Sequence, residues 1–381
     1  MRLFTLIFLT ISSLVFLAHY FLIGQAVYGD GRFYYSYARS LALQGNLDIK
    51  DELTHTFSPQ DNNKETKTIE EFIAYPVQSF GPAMFWTPIL FVSHLIAQKM
   101  GLLANGFSDI YQISAGLLSI ALTAYAFHRL GKLLLKTFKP AVVFLTLLLV
   151  WAGSNLLFYT AIDNLNTHFF SFALATLTLC EYLDKKKPSL IFTGLLAGLA
   201  FQNRQLDLLL HLGLFLAYFT NKHKLTDLLR FFLSTLLVTI PQLMVWNFQF
   251  GSFLPPMSGD GFWKFSPSSI ANIFFDLPNG LFFTAPVIFI SGIFLTFQKK
   301  PRYMLYAFFS LLAFLLITSF WWSPLGGASF GPRFLITFYP LLALSLAEKI
   351  KSMSYSKIIP FTVIFISLNL IHSLIFLYVS P

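Results

Sequence analysis

Apolar residues run along this chain in blocks of roughly twenty, the length a helix needs to cross a bilayer, and short polar or basic intervals separate one block from the next. Blocks near 3–27, 108–128, 141–160, 165–182, 189–202, 206–220, 231–248, 281–298, 303–320, 334–347 and 358–379 predict an all-α, polytopic transmembrane protein of about eleven spans. The pair at 189–202 and 206–220 is the shortest. Residues 82–98 are apolar as well. Counting them as a span would put Arg129, Lys132, Lys136 and Lys139 outside and invert every later loop, against the positive-inside bias. With Pro82, Trp86 and Pro88, that block is expected to lie in, or dip into, the outer interface.

This threading makes the N-terminus cytoplasmic and residues 28–107 a first outer loop carrying amphipathic juxtamembrane helices. The whole of 1–381 reads as a single domain. A signal peptide ending near Gly24-Gln25-Ala26 is the alternative for the first block, but its apolar stretch exceeds the usual h-region of about 7–15 residues, so an uncleaved span is expected. No internal repeat or soluble domain is visible, and the longest polar stretch is roughly 44–75.

Composition agrees: 56% of the 381 residues are hydrophobic, 46 are Phe and 11% are charged, which excludes an ordinary soluble domain. The net charge of +9 does not indicate nucleic acid, because the basic residues fall in short clusters between apolar runs. Membrane topology accounts for them. The single cysteine, Cys180, excludes an intramolecular disulfide and reads as a packing residue.

Candidate chemistry gathers in the outer loops. Asp30 stands between Gly29 and Gly31 where the first span should surface, followed by a helix with Tyr34, Tyr37, Ala38 and Leu41 on one face, expected to lie on the membrane surface. An acid at a membrane edge is costly and tends to be functional, while its flanking glycines would admit a substrate close to the backbone. As a simple N-cap, the same Asp would do no chemistry. Asp163 and His168 open a later span. They could orient an acceptor, or with Asp30 hold a divalent cation such as Mg or Mn; a cap and a packed imidazole explain them equally. Arg204, Lys264 and Arg333, with Arg32 and Arg39 as rivals nearer Asp30, are the outward cations available to an anionic donor, and snorkelling to lipid headgroups is the other use for each. Trp321 and Trp322 suit either sugar stacking or interface anchoring.

Several of these elements together resemble the GT-C glycosyltransferases. They are the acid after the first span with an Arg and a Tyr-rich helix behind it, Phe80-Gly81-Pro82-Ala83 opening a juxtamembrane helix, Asp163 in the second outer loop, and the late Trp321-Trp322…Gly326-Gly327-Ala328-Ser329-Phe330-Gly331-Pro332-Arg333 stretch. The likeness is to bacterial relatives of protein O-mannosyltransferases and of the lipid A aminoarabinose transferase. It implies a polyprenyl-phosphate-linked sugar as donor, an envelope glycolipid, polysaccharide or protein as acceptor, the first-loop acid as base, and a site on the outer face of the bacterial inner membrane. The family's Asp-Glu pair is here Asp30-Gly31, a departure that leaves the second acid without a counterpart.

The chemistry is consistent with that expectation. A sugar on a lipid phosphate already carries its leaving group, so transfer needs a base on the attacking hydroxyl and positive charge on the departing phosphate. An inverting single displacement is expected. A transporter or lipid flippase is the rival from another class and should show paired broken helices with charges near the bilayer midplane. A polysaccharide polymerase or ligase is the rival within glycan chemistry.

Overall fold

The computed structural model describes residues 1–54, 74–184, 187–222, 224–255, 267–277, 279–321, 323–327 and 329–379. Among them all the regular secondary structure is helical, with no strand. The helices are α1 (Arg2–Ile23), α2 (Gly31–Arg39), α3 (Lys50–Leu53), α4 (Ala83–Met100), α5 (Asp109–Leu134), α6 (Pro140–Ala152), α7 (Leu156–Ala161), α8 (His168–Asp184) and α9 (Leu190–Asn203). They continue as α10 (Leu208–Lys222), α11 (Leu225–Phe250), α12 (Pro267–Phe275), α13 (Leu281–Thr284), α14 (Pro286–Phe297), α15 (Arg302–Ser319), α16 (Tyr339–Lys351) and α17 (Tyr355–Val379). Five segments, Arg2–Ile23, Asp109–Leu134, Leu225–Phe250, Arg302–Ser319 and Ser356–Val379, are long and apolar enough to cross a membrane. Pro140–Ala152, Leu190–Asn203 and Pro286–Phe297 are apolar but shorter.

α1 shows how such a helix packs. It is apolar on every face, yet only the stripe Phe4, Phe8, Ser12, Phe16 and Tyr20 is buried, while Leu3, Leu6, Leu14 and Phe21 stay exposed. An exposed face of that kind suits lipid rather than water. Small residues bring other pairs close: Gly194 and Gly198 on α9 lie against the Phe231 and Thr235 carbonyls of α11, and Gly213 of α10 meets Ser310 of α15. This small-xxx-small spacing is a common device for helix contact in lipid.

The helix ends gather into two groups. At one, Met1 packs on Gly131, Lys136 pairs with Asp184, Glu181 accepts from the Ser189 amide, Tyr182 lies beside Tyr218 and Tyr303, and Lys351 sits over Phe138. This end is rich in Lys and Arg. At the other, Tyr20 donates to Asp109, Tyr37 is hydrogen-bonded to Gln249, and Phe330 packs on Phe158 and Phe376.

α4 does not run from one group to the other. Trp86 near its start donates to Ser119, ten residues into α5, whereas His94 further along bonds Tyr111 at the start of α5. At about 1.5 Å per residue, its first turn lies roughly 15 Å along α5 from the start of that helix, and α4 runs from there back toward that start. The block 82–98 is thus a single helix, α4, laid along the first part of α5.

α2 corrects the expected surface helix. Tyr34, Tyr37 and Ala38 are buried, but so is Tyr35, whose hydroxyl donates to the Gly106 carbonyl. Residues 101–108 cover the face that should have met water. The blocks 141–160 and 281–298 are likewise interrupted, at 153–155 between α6 and α7 and at Ala285 between α13 and α14. Hydropathy alone runs through such breaks because it is blind to the backbone.

Candidate functional site

The chain leaves α1 through Gly24, whose left-handed conformation (φ 85°) ends the helix, and then turns back, the Ala26 amide donating to Gln112 in the first turn of α5. That descent delivers Asp30 and Gly31 onto the α7–α8 loop. A Cβ on Gly31 would sit 2.5 Å from the Leu165 carbonyl oxygen, so glycine is what lets the two segments touch. The loop is itself recessed, because Asn164 donates to the Gly116 carbonyl about two turns into α5.

Asp30 precedes the first residue of α2 but does not cap it: its side chain makes no bond to the first-turn amides. Its carboxylate instead accepts from Arg333 Nη2 at 2.7 Å on one oxygen and from Gln78 Nε2 at 3.2 Å on the other. The carboxylate is 34% exposed and the arginine 12%, so the pair lies at the rim of the recess. Arg333 is held from behind by the Gly326 carbonyl at 3.1 Å. Its approach depends on Gly331 (φ 75°), where a side chain would strike Thr284, and on Asn155, which donates to the Phe330 carbonyl and accepts from the Tyr339 hydroxyl. The breaks in the 141–160 and 281–298 blocks thus meet at the turn that carries Arg333.

Asp163 lies within electrostatic reach of both Asp30 and Arg333 and accepts from Asn166 Nδ2 at 3.2 Å. Burial pushes its carboxyl up to about 6, against the opposing pull of Arg333 and the Asn166 bond. Its Oδ1 has no partner among the described residues. His168 is buried, stacks edge-on against Tyr159, and turns Nδ1 to Arg204 Nη1 at 3.4 Å. Since a guanidinium can only donate, Nδ1 is the acceptor and Nε2 carries the proton. Tyr34 is buried beside Thr167 in the fields of Asp30, Arg333 and Arg204, and burial raises its hydroxyl above the ordinary range, leaving it a neutral donor.

Arg204 and Arg333 flank one ring, Phe334, at 4.2 and 5.7 Å from its centroid. Arg204 forms no ion pair within 4 Å among the described residues, although Asp207 attracts it from nearby, and burial lowers its pKa. A desolvated cation of this kind gains from a bound anion. Behind it, Asp207 accepts from Ser171 at 2.5 Å and from Asn203 at 3.4 Å.

The five residues Asp30, Asp163, His168, Arg204 and Arg333 are therefore brought together. Arg39 is not with them: it pairs with buried Glu52 at 2.5 Å, donates to the Asn105 carbonyl and lies over Phe107, clasping the segments on either side of α4. Arg32 rests near the Phe33 ring. Lys264 and Trp322 lie outside the described residues, and Trp321 packs on Phe334. As ligands for a divalent cation, Asp30, Asp163 and His168 fit poorly, since Asp30 already holds Arg333 and His168 faces Arg204, and two fixed cations oppose a third. No group of three or more His, Cys, Asp or Glu among the described residues is placed to hold a metal.

Gln78, Tyr159 and Asp207 join the site without a sequence signal that marks them for it, and Tyr34 is marked only by the helix face it shares with Tyr37 and Ala38. Gln78 sits in an extended stretch with no periodicity, and Asp207 is concealed at the head of an apolar block. Pro76 and Pro82 around Gln78, which forbid regular helix there, are the one available hint.

Comparison of the chain with protein-family models, with curated proteins and with solved structures finds no match in any of the three.

Proposed function

We propose that this chain is an integral membrane glycosyltransferase of GT-C type, with eleven spans, that moves a sugar from a polyprenyl-phosphate donor to an envelope acceptor on the outer face of the membrane, with inversion. The observation that carries this reading is the carboxylate of Asp30, released from capping duty and held by Arg333 and Gln78 at the mouth of a recess containing a second guanidinium. In the proposed reaction the acceptor hydroxyl approaches Asp30, which takes its proton as the oxygen attacks the anomeric carbon. The bond to the lipid phosphate breaks on the opposite side, and Arg204 and Arg333 receive the phosphate's charge. Arg333 shifts from Asp30 toward the donor as the latter binds. Tyr34 and the Nε2 proton of His168 are donors available to sugar hydroxyls. The recess supports lateral entry of a lipid-linked donor from the outer leaflet.

A second reading, a transporter or lipid flippase, rests on the helix breaks at 153–155 and at Ala285, because interrupted helices mark substrate sites in transporters. One experiment separates the two. Purified protein in vesicles is given a labelled polyprenyl-phosphate sugar and a mixture of envelope acceptors, and both transfer and transbilayer movement are followed. Transfer without movement supports the glycosyltransferase; movement without transfer overturns it.

A further inference from the structure

The basic end of the bundle, opposite the candidate site, holds a cavity of about 390 Å³ between the α5–α6 turn and the α16–α17 turn. Its rim carries Lys139 and Lys351, and its floor is apolar, made by Val142, Leu145, Met353 and Ile358. Both lysines are exposed, and Lys351 pairs loosely with Glu348 at 3.7 Å, which is itself 47% exposed. Lys351 also rests 5.7 Å from the Phe138 ring, which keeps its ammonium near the rim. The cavity additionally meets the start of α6, a helix of 13 residues in which Pro140 stands at the first position. The amides of Ala141 and Val142 follow it, and no carbonyl of the same helix can reach them. The N-terminal end of a helix attracts an anion, and here two ammonium groups reinforce it.

A phosphate with nothing attached would satisfy the rim and leave the floor empty; an acyl chain alone would do the reverse. We propose that this cavity is a binding site for an anionic phospholipid of the inner leaflet, its phosphodiester between Lys139, Lys351 and the first turn of α6, and the first carbons of its chains on Val142, Leu145 and Ile358. Basic pockets between membrane helices on the cytoplasmic side are a recurrent setting for such headgroups. The inference rests on the chain being embedded in a membrane with this basic end cytoplasmic, but does not depend on its chemistry.

The test is native mass spectrometry of the full-length protein released from mixed vesicles of phosphatidylglycerol and phosphatidylcholine. The wild type is expected to retain phosphatidylglycerol in preference, and the double variant Lys139→Gln/Lys351→Gln to lose that preference by roughly thirtyfold. Both positions are exposed, so folding is not at stake. Leu145→Trp, filling the floor with both lysines in place, is expected to reduce retention as well, and millimolar inorganic phosphate is expected not to displace the lipid. Equal retention of the two lipids by the wild type, unchanged preference in the double variant, or displacement by phosphate would each overturn the proposal.

Discussion

Arg333 Nη2 lies 2.7 Å from Asp30 Oδ2, joining residues 303 positions apart in the chain and turning the carboxylate away from the helix it precedes. If Asp30 is the base, Asp30→Asn keeps the shape of the group and removes its basicity, and sugar transfer should fall by about 10²–10⁴-fold. Asparagine caps a helix nearly as well as aspartate, so a merely structural Asp30 predicts near-normal turnover in that variant. The measurement is transfer by purified wild type and variant at matched folded protein.

Arg333 and Arg204 are proposed to act on the donor phosphate. Loss of either to Ala should weaken donor use by roughly 1.5–3 kcal/mol, the scale of a hydrogen bond to a charged group. Lysine should restore part of it, because a point charge cannot fork across two oxygens. Arg333 also touches Asp30, so the double variant Asp30→Asn/Arg333→Ala should fall short of the sum of the singles, whereas Arg204→Ala should add to Asp30→Asn more fully. Full additivity for the Asp30–Arg333 pair in donor-use kinetics would show that their contact has no part in transfer.

Much of this arrangement is legible in the order of residues along the chain, and the reason is geometric. A chain that crosses a bilayer repeatedly has its polar loops confined to two planes, so hydropathy and charge suffice to place Asp30, Asp163, Arg204 and Arg333 on one side. Which of them touch is another matter. Arg39 stands nearer to Asp30 in sequence than any other candidate except Arg32, yet it is taken by Glu52, a pairing set by how the chain after α2 folds back on that helix. Periodicity turns Tyr35 toward water, but the residues 101–108 that cover it carry no pattern of their own. The same holds for Gln78.

Gly31 is a positional requirement rather than a flexible joint. Gly31→Ala would set a methyl 2.5 Å from the Leu165 carbonyl, a contact with backbone on one side that cannot swing away. The expected cost is about 1–3 kcal/mol of stability, as for other overpacked sites. Because the displaced segment carries Asp30 away from the α7–α8 loop, transfer should fall further than stability alone explains. A variant with normal melting temperature and normal transfer would show that the close approach is not needed.

The threading can be checked by cysteine labelling in a Cys180→Ser background. A membrane-impermeant maleimide applied outside should react at Asp51→Cys and at Asn105→Cys but not at Lys300→Cys. Positions 51 and 105 precede and follow α4, and Arg39, which binds both Glu52 and the Asn105 carbonyl, holds them on one side. Opposite accessibility of 51 and 105 would make α4 a span and invert every later loop; labelling at 300 would do the same to the basic end.

Asp163 gives the clearest dependence on pH. Its carboxyl is pushed from an ordinary 3.8 up to about 6, chiefly by burial, so the folded protein holds that proton more tightly than the unfolded chain does. Such a group contributes stability that is fully present below about pH 4 and is lost as pH rises through about 6. The loss amounts to at most about 3 kcal/mol, and to less in practice because the side chain is partly open to solvent. Asp163→Asn is neutral at every pH and has no such loss. Its melting temperature relative to wild type should therefore climb between pH 4 and 7 and level off above that. Transfer by the wild type should also change near pH 6 if the ionised Asp163 helps to orient the acceptor, and that inflection should vanish in the Asn variant. A constant difference in melting temperature across this range would mean that Asp163 titrates as an ordinary surface carboxylate and that the recess around it is open to water.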